Sequence, residues 1–413
     1  MQLPPKTFRE KLALFFAAMG PGIITAFADN DAGGIATYIS AGAKYGYALL
    51  SVLLISTICL GVMQEISARI GIVTGKGLFV LIRERYGKRW AVFVMILFLV
   101  ANIGTTASEF SAIVLGCAFF SISKYIAVPF VAFFIWLLVV KANYNYVEKV
   151  FFLLCATFFS YIFAGILVEP SWTDVMKAAF VPAFYQNRDY FFTAIGIIGT
   201  TITPWGQFYM QAAIVDKGIT VKEYRYTCID IFVGTFFTGL IAFFILITTA
   251  TALYGHPDVI ENVEEAAIAL EPFAGAYASI LFNVGLLGAA LLAAVILPLS
   301  TAYAICEVMG LSHGINKTYQ EAPTFFMLYT VLILLGAGVV FVPNLSLYNI
   351  MLLSQVLNGV LLPPILIFIL LLSRDDKIMG SHKNTGVYYI FAWIFTILII
   401  ALTVLLLIQL FVA

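Results

Sequence analysis

Eleven long apolar segments occupy most of this 413-residue chain, and they limit the possible fold more than any other feature. A helix that crosses a bilayer needs about 20 predominantly apolar residues, and most of these segments reach that length. Only 11% of the residues are charged, whereas about a quarter are charged in a typical soluble domain. The sequence therefore predicts an all-α integral membrane protein. The predicted segments are residues 14–41, 46–69, 90–119, 126–141, 148–168, 190–215, 228–254, 273–309, 323–342, 346–372 and 386–412.

Short connections join the segments, which predicts a single transmembrane domain over residues 1–413. Cytoplasmic loops of membrane proteins are enriched in Lys and Arg. Eighteen of the 22 Lys and Arg residues fall on the side of the predicted bundle that holds the N-terminus. We therefore expect a multi-pass protein of the cell membrane, with a cytoplasmic N-terminus and an extracellular C-terminus. The acidic loop within residues 258–271 is expected on the outside.

The composition argues against several classes of function. The formal net charge is zero, so no basic surface for nucleic acid is expected. The five cysteines are odd in number and irregularly spaced within apolar segments, which argues against a disulfide framework or a zinc site. The three histidines fall in predicted loops, and no Ser–His or paired-Asp motif has catalytic spacing. We therefore predict no enzyme activity and no cofactor, and no obligate protein partner is evident.

Two of the segments contain helix-breaking residues at corresponding positions. The first reads FADNDAGG at residues 27–34, and the sixth, five segments later, reads TITPWGQ at residues 201–207. Proline cannot donate a backbone hydrogen bond, and glycine weakens a helix. Interrupted helices at matching positions indicate a transporter built from two inverted repeats, although a pair of ordinary kinks is the simpler alternative. The repeats are predicted at about residues 14–168 and 190–372, with an extra helix at about 386–412.

The first break carries a carboxylate at bilayer depth. Asp31 costs at least about 2.5 kcal/mol there unless it is paired or neutralised. No Lys or Arg lies in the apolar part of any segment, so a passing cation is the expected counter-charge. Carbonyls freed at the break, such as that of Ala28, would add oxygen ligands. Asp29 can face the same ion only if the backbone unwinds between the two aspartates, because they are roughly 200° apart on a continuous helix.

The second break supplies further oxygen atoms. Thr200, Thr201 and Thr203 offer hydroxyl groups, and Pro204 frees the carbonyls that precede it. The two breaks together present oxygen donors and neither sulfur nor imidazole. Such a donor set suits magnesium, calcium or manganese better than soft transition metals.

The two broken segments also resemble a known family. The stretches GPGIITAFADNDAGGIATYISAGAKYGYALL and GIIGTTITPWGQFYMQ are similar to the first and sixth helices of the NRAMP divalent-metal transporters. ARIGIVTGKGLFVLIRERYG after the second segment and the SQV triplet at residues 354–356 are similar to that family too. The resemblance implies a LeuT-type fold of five plus five inverted helices and an eleventh helix. It also implies a metal bound between helices one and six, with Gln355 approaching the ion.

The departures from the family pattern concern the metal ligands. The family's Asp-Pro-Gly-Asn corresponds to residues 31–34, where Asp31 is retained and Gly34 replaces the ligating Asn. The family's Met-Pro-His corresponds to residues 203–205, where Thr203 replaces the soft Met ligand. This pattern resembles the NRAMP-related magnesium transporters, a branch of the family. It implies a wider site that carries partly hydrated magnesium, and manganese in addition, as transported substrates.

Proton coupling is not expected from the same comparison. Trp205 stands in place of the family's helix-six histidine, and of the three helix-three acids only Glu109 is retained, because Asn102 and Ala112 occupy the other two positions. A proton relay needs successive titratable groups. The alternatives are a conventional proton-coupled manganese or iron transporter, a LeuT-type transporter of a cationic amine with Trp205 as one wall of its site, and an ion channel.

Overall fold

The computed structural model describes residues 20–141, 144–255 and 271–412, and its regular structure in these ranges is entirely helical. We number the helices in chain order. They are α1 Pro21–Ala28, α2 Ala32–Tyr45, α3 Leu50–Thr74, α4 Leu78–Tyr86, α5 Lys88–Phe119, α6 Lys124–Lys141, α7 Tyr144–Thr157, α8 Phe159–Leu167, α9 Trp172–Phe180, α10 Arg188–Thr201, α11 Pro204–Lys217, α12 Tyr224–Leu253, α13 Glu271–Met309, α14 Pro323–Val339, α15 Leu347–Arg374, α16 Asp376–Met379 and α17 Val387–Val412.

Each of the eleven predicted segments corresponds to helical structure. In the described ranges, eight helical stretches are long and apolar enough to cross a membrane, and α14 is a shorter apolar helix. The first predicted segment is divided into α1 and α2, and the sixth into α10 and α11. Residues 14–19 of the first segment and most of the acidic stretch within 258–271 lie outside the described residues.

Local backbone chemistry explains both breaks. Asp31 is the N-cap of α2, where its side chain accepts a 2.7 Å hydrogen bond from the Gly34 N–H. Thr203 is the N-cap of α11, where its hydroxyl accepts a 2.9 Å bond from the Gly206 N–H. Pro204 occupies the first position of α11, where its missing N–H costs no helical hydrogen bond. Each new helix therefore starts with a capping side chain that competes with continuation of the preceding helix.

The short helix α1 is held at its other end by α12. The carboxylate of Asp230 accepts hydrogen bonds from the N–H groups of Gly20 (3.2 Å), Gly22 (2.6 Å) and Ile23 (3.4 Å). A buried carboxylate at a helix N-terminus satisfies otherwise unpaired N–H groups and interacts favourably with the helix dipole. A helix of only 8 residues is thereby fixed against the bundle.

Small residues bring the second broken segment into contact with α15. A Cβ atom at Gly199 of α10 would lie 2.3 Å from both the Gln355 carbonyl oxygen and the Gly359 N–H nitrogen. The two backbones therefore touch, which only glycine permits here. This contact places the side chain of Gln355 beside the first break.

Candidate metal site at the two helix breaks

Asp31 is fully buried at the start of α2. Its Oδ1 atom accepts hydrogen bonds from the Gly34 N–H and from Gln355 Nε2, the latter over 2.9 Å. Its Oδ2 atom has no hydrogen-bond partner among the described residues. One oxygen of the predicted ligand is thus fixed by its neighbours, and the other is free to bind a cation.

Asp29 lies at the end of α1 and is also fully buried. Its Oδ2 accepts a 2.9 Å hydrogen bond from Gln64 Nε2, and its Oδ1 accepts a 2.5 Å bond from the Thr203 hydroxyl. The helix ends between the two aspartates, which is the unwinding that would let both face one region. Asp29 and Thr203 link the first break directly to the second.

Thr200 and Gly34 form the close contact between α10 and α2. A Cβ atom at Gly34 would lie 2.2 Å from Thr200 Oγ1 and 3.3 Å from Asp31 Oδ1. The Thr200 hydroxyl therefore occupies space that a larger side chain at Gly34 would fill, and this oxygen has no hydrogen-bond partner in the described part of the chain. The neighbouring Gly33 is equally close-packed, since its Cβ would lie 2.1 Å from Gln355 Nε2.

A third carboxylate lies next to the break. Glu109 of α5 is fully buried and accepts a 3.1 Å hydrogen bond from the Ala32 N–H through Oε2. Its Oε1 atom, like the hydroxyl of the adjacent Ser108, has no partner among the described residues. Glu109, which the resemblance aligns with a helix-three acid of the family, therefore lies beside the start of α2.

The buried carboxylates of the site are not offset by any ion pair among the described residues. None of the five ion pairs within the described ranges includes Asp29, Asp31 or Glu109. In the same ranges, no three His, Cys, Asp or Glu side chains are grouped closely enough to hold a metal by themselves. A cation here would therefore be bound by a carboxylate together with neutral oxygens or water. All the free donor atoms around Asp31 are oxygens, which suits a hard ion.

The structure brings the sequence-predicted residues together in two groups. Asp31, Gly34, Thr200 and Gln355 surround the start of α2, whereas Asp29 and Thr203 meet where α1 ends at Ala28. The Thr203 hydroxyl differs from expectation in one respect, because it is bonded to Asp29 and to its own helix and is not aimed freely at an ion.

Sequence reasoning missed the supporting residues. Gln64 holds Asp29, and Asn358 donates a 3.0 Å hydrogen bond from Nδ2 to Gln355 Oε1, which orients the amide that contacts Asp31. Thr105 in turn exchanges hydrogen bonds with Asn358. The available signal was a polar residue inside an otherwise apolar helix, as Gln64 is in LGVMQEIS, but such a signal does not reveal the partner.

Trp205, which the resemblance aligns with the family's helix-six histidine, is fully buried near the start of α11. Its indole N–H has no hydrogen-bond partner among the described residues. An indole has no proton to exchange near neutral pH, so this position contributes size and one donor but no titratable group.

Comparison with known proteins gives consistent results. The family model described as "Natural resistance-associated macrophage protein-like" (Nramp) matches residues 22–409. The chain is 28% identical over 404 residues to the divalent metal cation transporter MntH of Bacillus subtilis (strain 168), covering 95% of this chain and 92% of that protein. It is 30% identical over 414 residues to the MntH of Ralstonia nicotianae, covering 95% and 90% of the two chains.

A solved structure shows the same fold. The manganese transporter of Eremococcus coleocola, in complex with an aromatic bis-isothiourea substituted compound, superimposes with a TM-score of 0.79 and 21% identity, covering 97% of this chain and 88% of that one. This likeness confirms the predicted helical fold of the LeuT type. The family match spans nearly the whole sequence and includes both breaks. This chain belongs to the Nramp family of transporters.

Proposed function

We propose that this protein is a carrier that imports divalent metal ions by alternating access, with partly hydrated magnesium as the main substrate and manganese as a second. Relatives named as divalent metal cation and manganese transporters support the substrate class. The family consists of transporters and not enzymes, and the metal is carried as substrate and is not a cofactor.

One observation carries the proposal: Asp31 lies fully buried at a helix break with one oxygen unpartnered in the described chain and no cationic side chain paired to it. A carboxylate in this position is stabilised when a cation binds it. Thr200 and Glu109 place further unpartnered oxygens at the same break. Hydrogen bonds from Gly34 and Gln355 fix Asp31 Oδ1 and leave Oδ2 for the ion.

The donor set favours magnesium over soft metals. Thr203 replaces the thioether of the family pattern with a hydroxyl that is bonded to Asp29, so this position offers no sulfur, and Gly34 brings no side-chain donor at all. Magnesium gives up its water reluctantly and usually keeps several water ligands. Hydroxyl and carboxylate oxygens, such as those of Ser108 and Glu109, can accept hydrogen bonds from such waters. We infer that the ion is bound by Asp31 directly and by its neighbours through water.

The protein is proposed to work without proton coupling, because Trp205 and Ala112 interrupt the family's titratable chain. A second candidate is proton-coupled manganese transport, which one specific observation favours. Glu109 contacts the backbone of Ala32, the residue next to Asp31, so an acid is already positioned where a proton could be exchanged against the metal.

Close packing argues against a cationic amine as substrate. A single carbon added at Gly33 or Gly34 would already lie within 2.2 Å of Gln355 or Thr200. An amine brings an organic body that cannot be shed, whereas the waters that a metal ion keeps are small and can be exchanged for protein oxygens. Thermal stabilisation of the purified protein by metal and by amines compares the two substrates directly.

The proposed arrangement in the membrane follows the predicted charge distribution. The two repeats, at about residues 14–168 and 190–372, are proposed to move relative to each other around the breaks, with residues 386–412 as an added helix. The N-terminus is proposed to be cytoplasmic and the C-terminus extracellular. In this structure the side chains of Asp29, Asp31 and Glu109 are fully buried, so opening requires movement of the surrounding helices.

The decisive experiment is uptake into proteoliposomes. Magnesium and manganese uptake are measured separately while the pH of the lumen is recorded. Saturable uptake of both ions with a constant luminal pH is expected. Uptake of manganese alone with luminal acidification would establish the second candidate instead, and flux that does not saturate would indicate a channel.

A further inference from the structure

Helix α11, which begins at the second break, carries a row of polar side chains along one side. Thr203, Gln207 and Gln211 are four residues apart, so they follow one side of the helix over about 12 Å. All three are fully buried. Thr203 is bonded to Asp29, whereas neither polar atom of Gln207 has a hydrogen-bond partner among the described residues.

The row ends near the side of the molecule that carries Lys76. Gln211 Nε2 donates a 2.8 Å hydrogen bond to the Lys76 carbonyl, but Gln211 Oε1 has no partner in the described ranges. Lys76 belongs to the basic connection after the second segment, which the sequence predicts to be cytoplasmic. The polar row therefore leads from Asp29 to the predicted cytoplasmic side.

Helix α3 supplies the opposing wall. Its residues Gln64, Ser67 and Gly71 are three and four positions apart and share one face. Gln64 meets Asp29 at one end, and a Cβ atom at Gly71 would lie 3.1 Å from Gln211 Cγ at the other. The two helices thus run side by side, with Gln207 of α11 and Ser67 of α3 between these contacts.

Structural hydrogen bonding accounts for only part of this row. Polar side chains that join transmembrane helices do so by bonding to one another. Here Gln64 Oε1, Ser67 Oγ, Gln211 Oε1 and both polar atoms of Gln207 are buried without partners in the described chain. Burying such groups unsatisfied is unfavourable, so their presence in one row indicates that water, free or carried on an ion, satisfies them.

We propose that Gln207, Gln211 and Ser67 form an uncharged polar seam between α11 and α3 that conducts the hydrated ion from Asp29 to the cytoplasmic side. Carboxamide and hydroxyl groups can replace outer water around a divalent ion by donating to and accepting from its waters. The three side chains are neutral, so they can contact the waters of the ion without adding a second charged binding site. This inference rests on the proposed function for its substrate.

The first test compares uptake rates. Gln207→Met and Gln211→Met remove the carboxamide and keep the length of the side chain, whereas Gln207→Asn retains an amide. Thr235→Val is the matched control, because Thr235 is a buried hydroxyl without a described partner on α12, outside the seam. We expect each Met variant to lower the maximal magnesium uptake rate about tenfold with a nearly unchanged KM. Gln207→Asn should recover part of that rate, and Thr235→Val should stay close to wild type. Wild-type rates in both Met variants would overturn the proposal.

The second test does not depend on transport. Gln207→Cys, Gln211→Cys and Thr235→Cys are exposed to a membrane-impermeant cationic thiol reagent, added to one side of reconstituted vesicles at a time, with wild-type labelling subtracted. The seam predicts that the first two react from the Lys76 side only, and faster than Thr235→Cys. Reaction from the opposite side, or no faster than the Thr235 variant, contradicts the seam. If the wild type carries no divalent ion, the proposed function has failed, and this labelling result still decides whether the seam conducts solute.

Discussion

The hydroxyl of Thr203 donates a 2.5 Å hydrogen bond to Oδ1 of Asp29, although the two residues are 174 positions apart in the chain. The same hydroxyl accepts from the Gly206 N–H and thereby caps α11. A single side chain thus joins the end of α1 to the start of α11. Movement of one broken helix relative to the other must change this bond, so Thr203 has a structural role at both breaks.

Thr203→Val is expected to weaken the site and the fold together. Valine has nearly the same shape, but it cannot cap α11, and it leaves Oδ1 of Asp29 without the hydroxyl that donates to it. Together these losses should lower the stability by about 1–3 kcal/mol. Thermal melting and magnesium-induced stabilisation measure the two effects. Thr203→Ser retains the hydroxyl and is the control. Equal melting and equal metal response in the Val and Ser variants would show that the bond to Asp29 has no role.

Asp31 is expected to be indispensable for transport. Asp31→Ala removes the carboxylate that lacks a cationic partner, and it should reduce divalent uptake to that of liposomes without protein. The variant also loses the N-cap of α2, which costs about 1 kcal/mol. Asp31→Asn separates the two effects, because asparagine is an equally good cap without the charge. Both variants should fold and neither should transport, whereas substantial uptake by the Asn variant would disprove the site.

Because α10 and α15 are in close contact at Gly199, we expect one methyl group added there to destabilise the protein strongly. Gly199→Ala would place Cβ 2.3 Å from two backbone atoms that cannot rotate away, and overpacking of this kind costs about 1–3 kcal/mol or more. Gly338→Ala in α14 is the matched control, because nothing lies within 4 Å of its added Cβ. Alanine there should raise helix stability by up to about 1 kcal/mol. The melting temperatures of the purified variants should therefore change in opposite directions.

Transport is expected to proceed without proton movement. Glu109→Gln keeps an oxygen that can accept from the Ala32 N–H but cannot release a proton. The luminal pH should therefore stay constant during magnesium uptake in this variant, as in the wild type, whatever the effect of the lost charge on the uptake rate. Proton influx that follows metal flux in the wild type and disappears in Glu109→Gln would instead establish coupling through this residue.

The sequence predicted the breaks because their causes are local. Asp31 as an N-cap and Pro204 at the first position of a helix act within a few residues, and their effects can be recognised from the sequence. The partners of Asp29 could not be predicted in the same way. Gln64 is 35 residues away, so this contact depends on how distant helices pack. For the same reason, the sequence did not predict that the Thr200 hydroxyl fills the space left by the missing side chain at Gly34. The approach of Gln355, which is 324 residues from Asp31, was expected only from the family resemblance.

The last prediction concerns metal selectivity, which the proposal attributes to Gly34 and Thr203. Gly34→Asn adds an amide oxygen, and Thr203→Met adds a soft sulfur that magnesium binds poorly. The added Asn needs room, because its Cβ would lie 2.2 Å from Thr200 Oγ1, so Thr200→Ala is included and also tested alone. Met cannot cap α11, and some loss of stability is expected.

The triple variant should lose magnesium uptake relative to manganese and gain cadmium binding, since fewer waters and a softer donor both disfavour magnesium. The magnesium-to-manganese uptake ratio is the appropriate measurement because it does not depend on the amount of folded protein. Thr200→Ala alone should leave the ratio close to that of the wild type. If the ratio is unchanged in a folded triple variant, these two positions do not set selectivity, and the discrimination between the ions must arise at Asp29 or at the neighbouring helices.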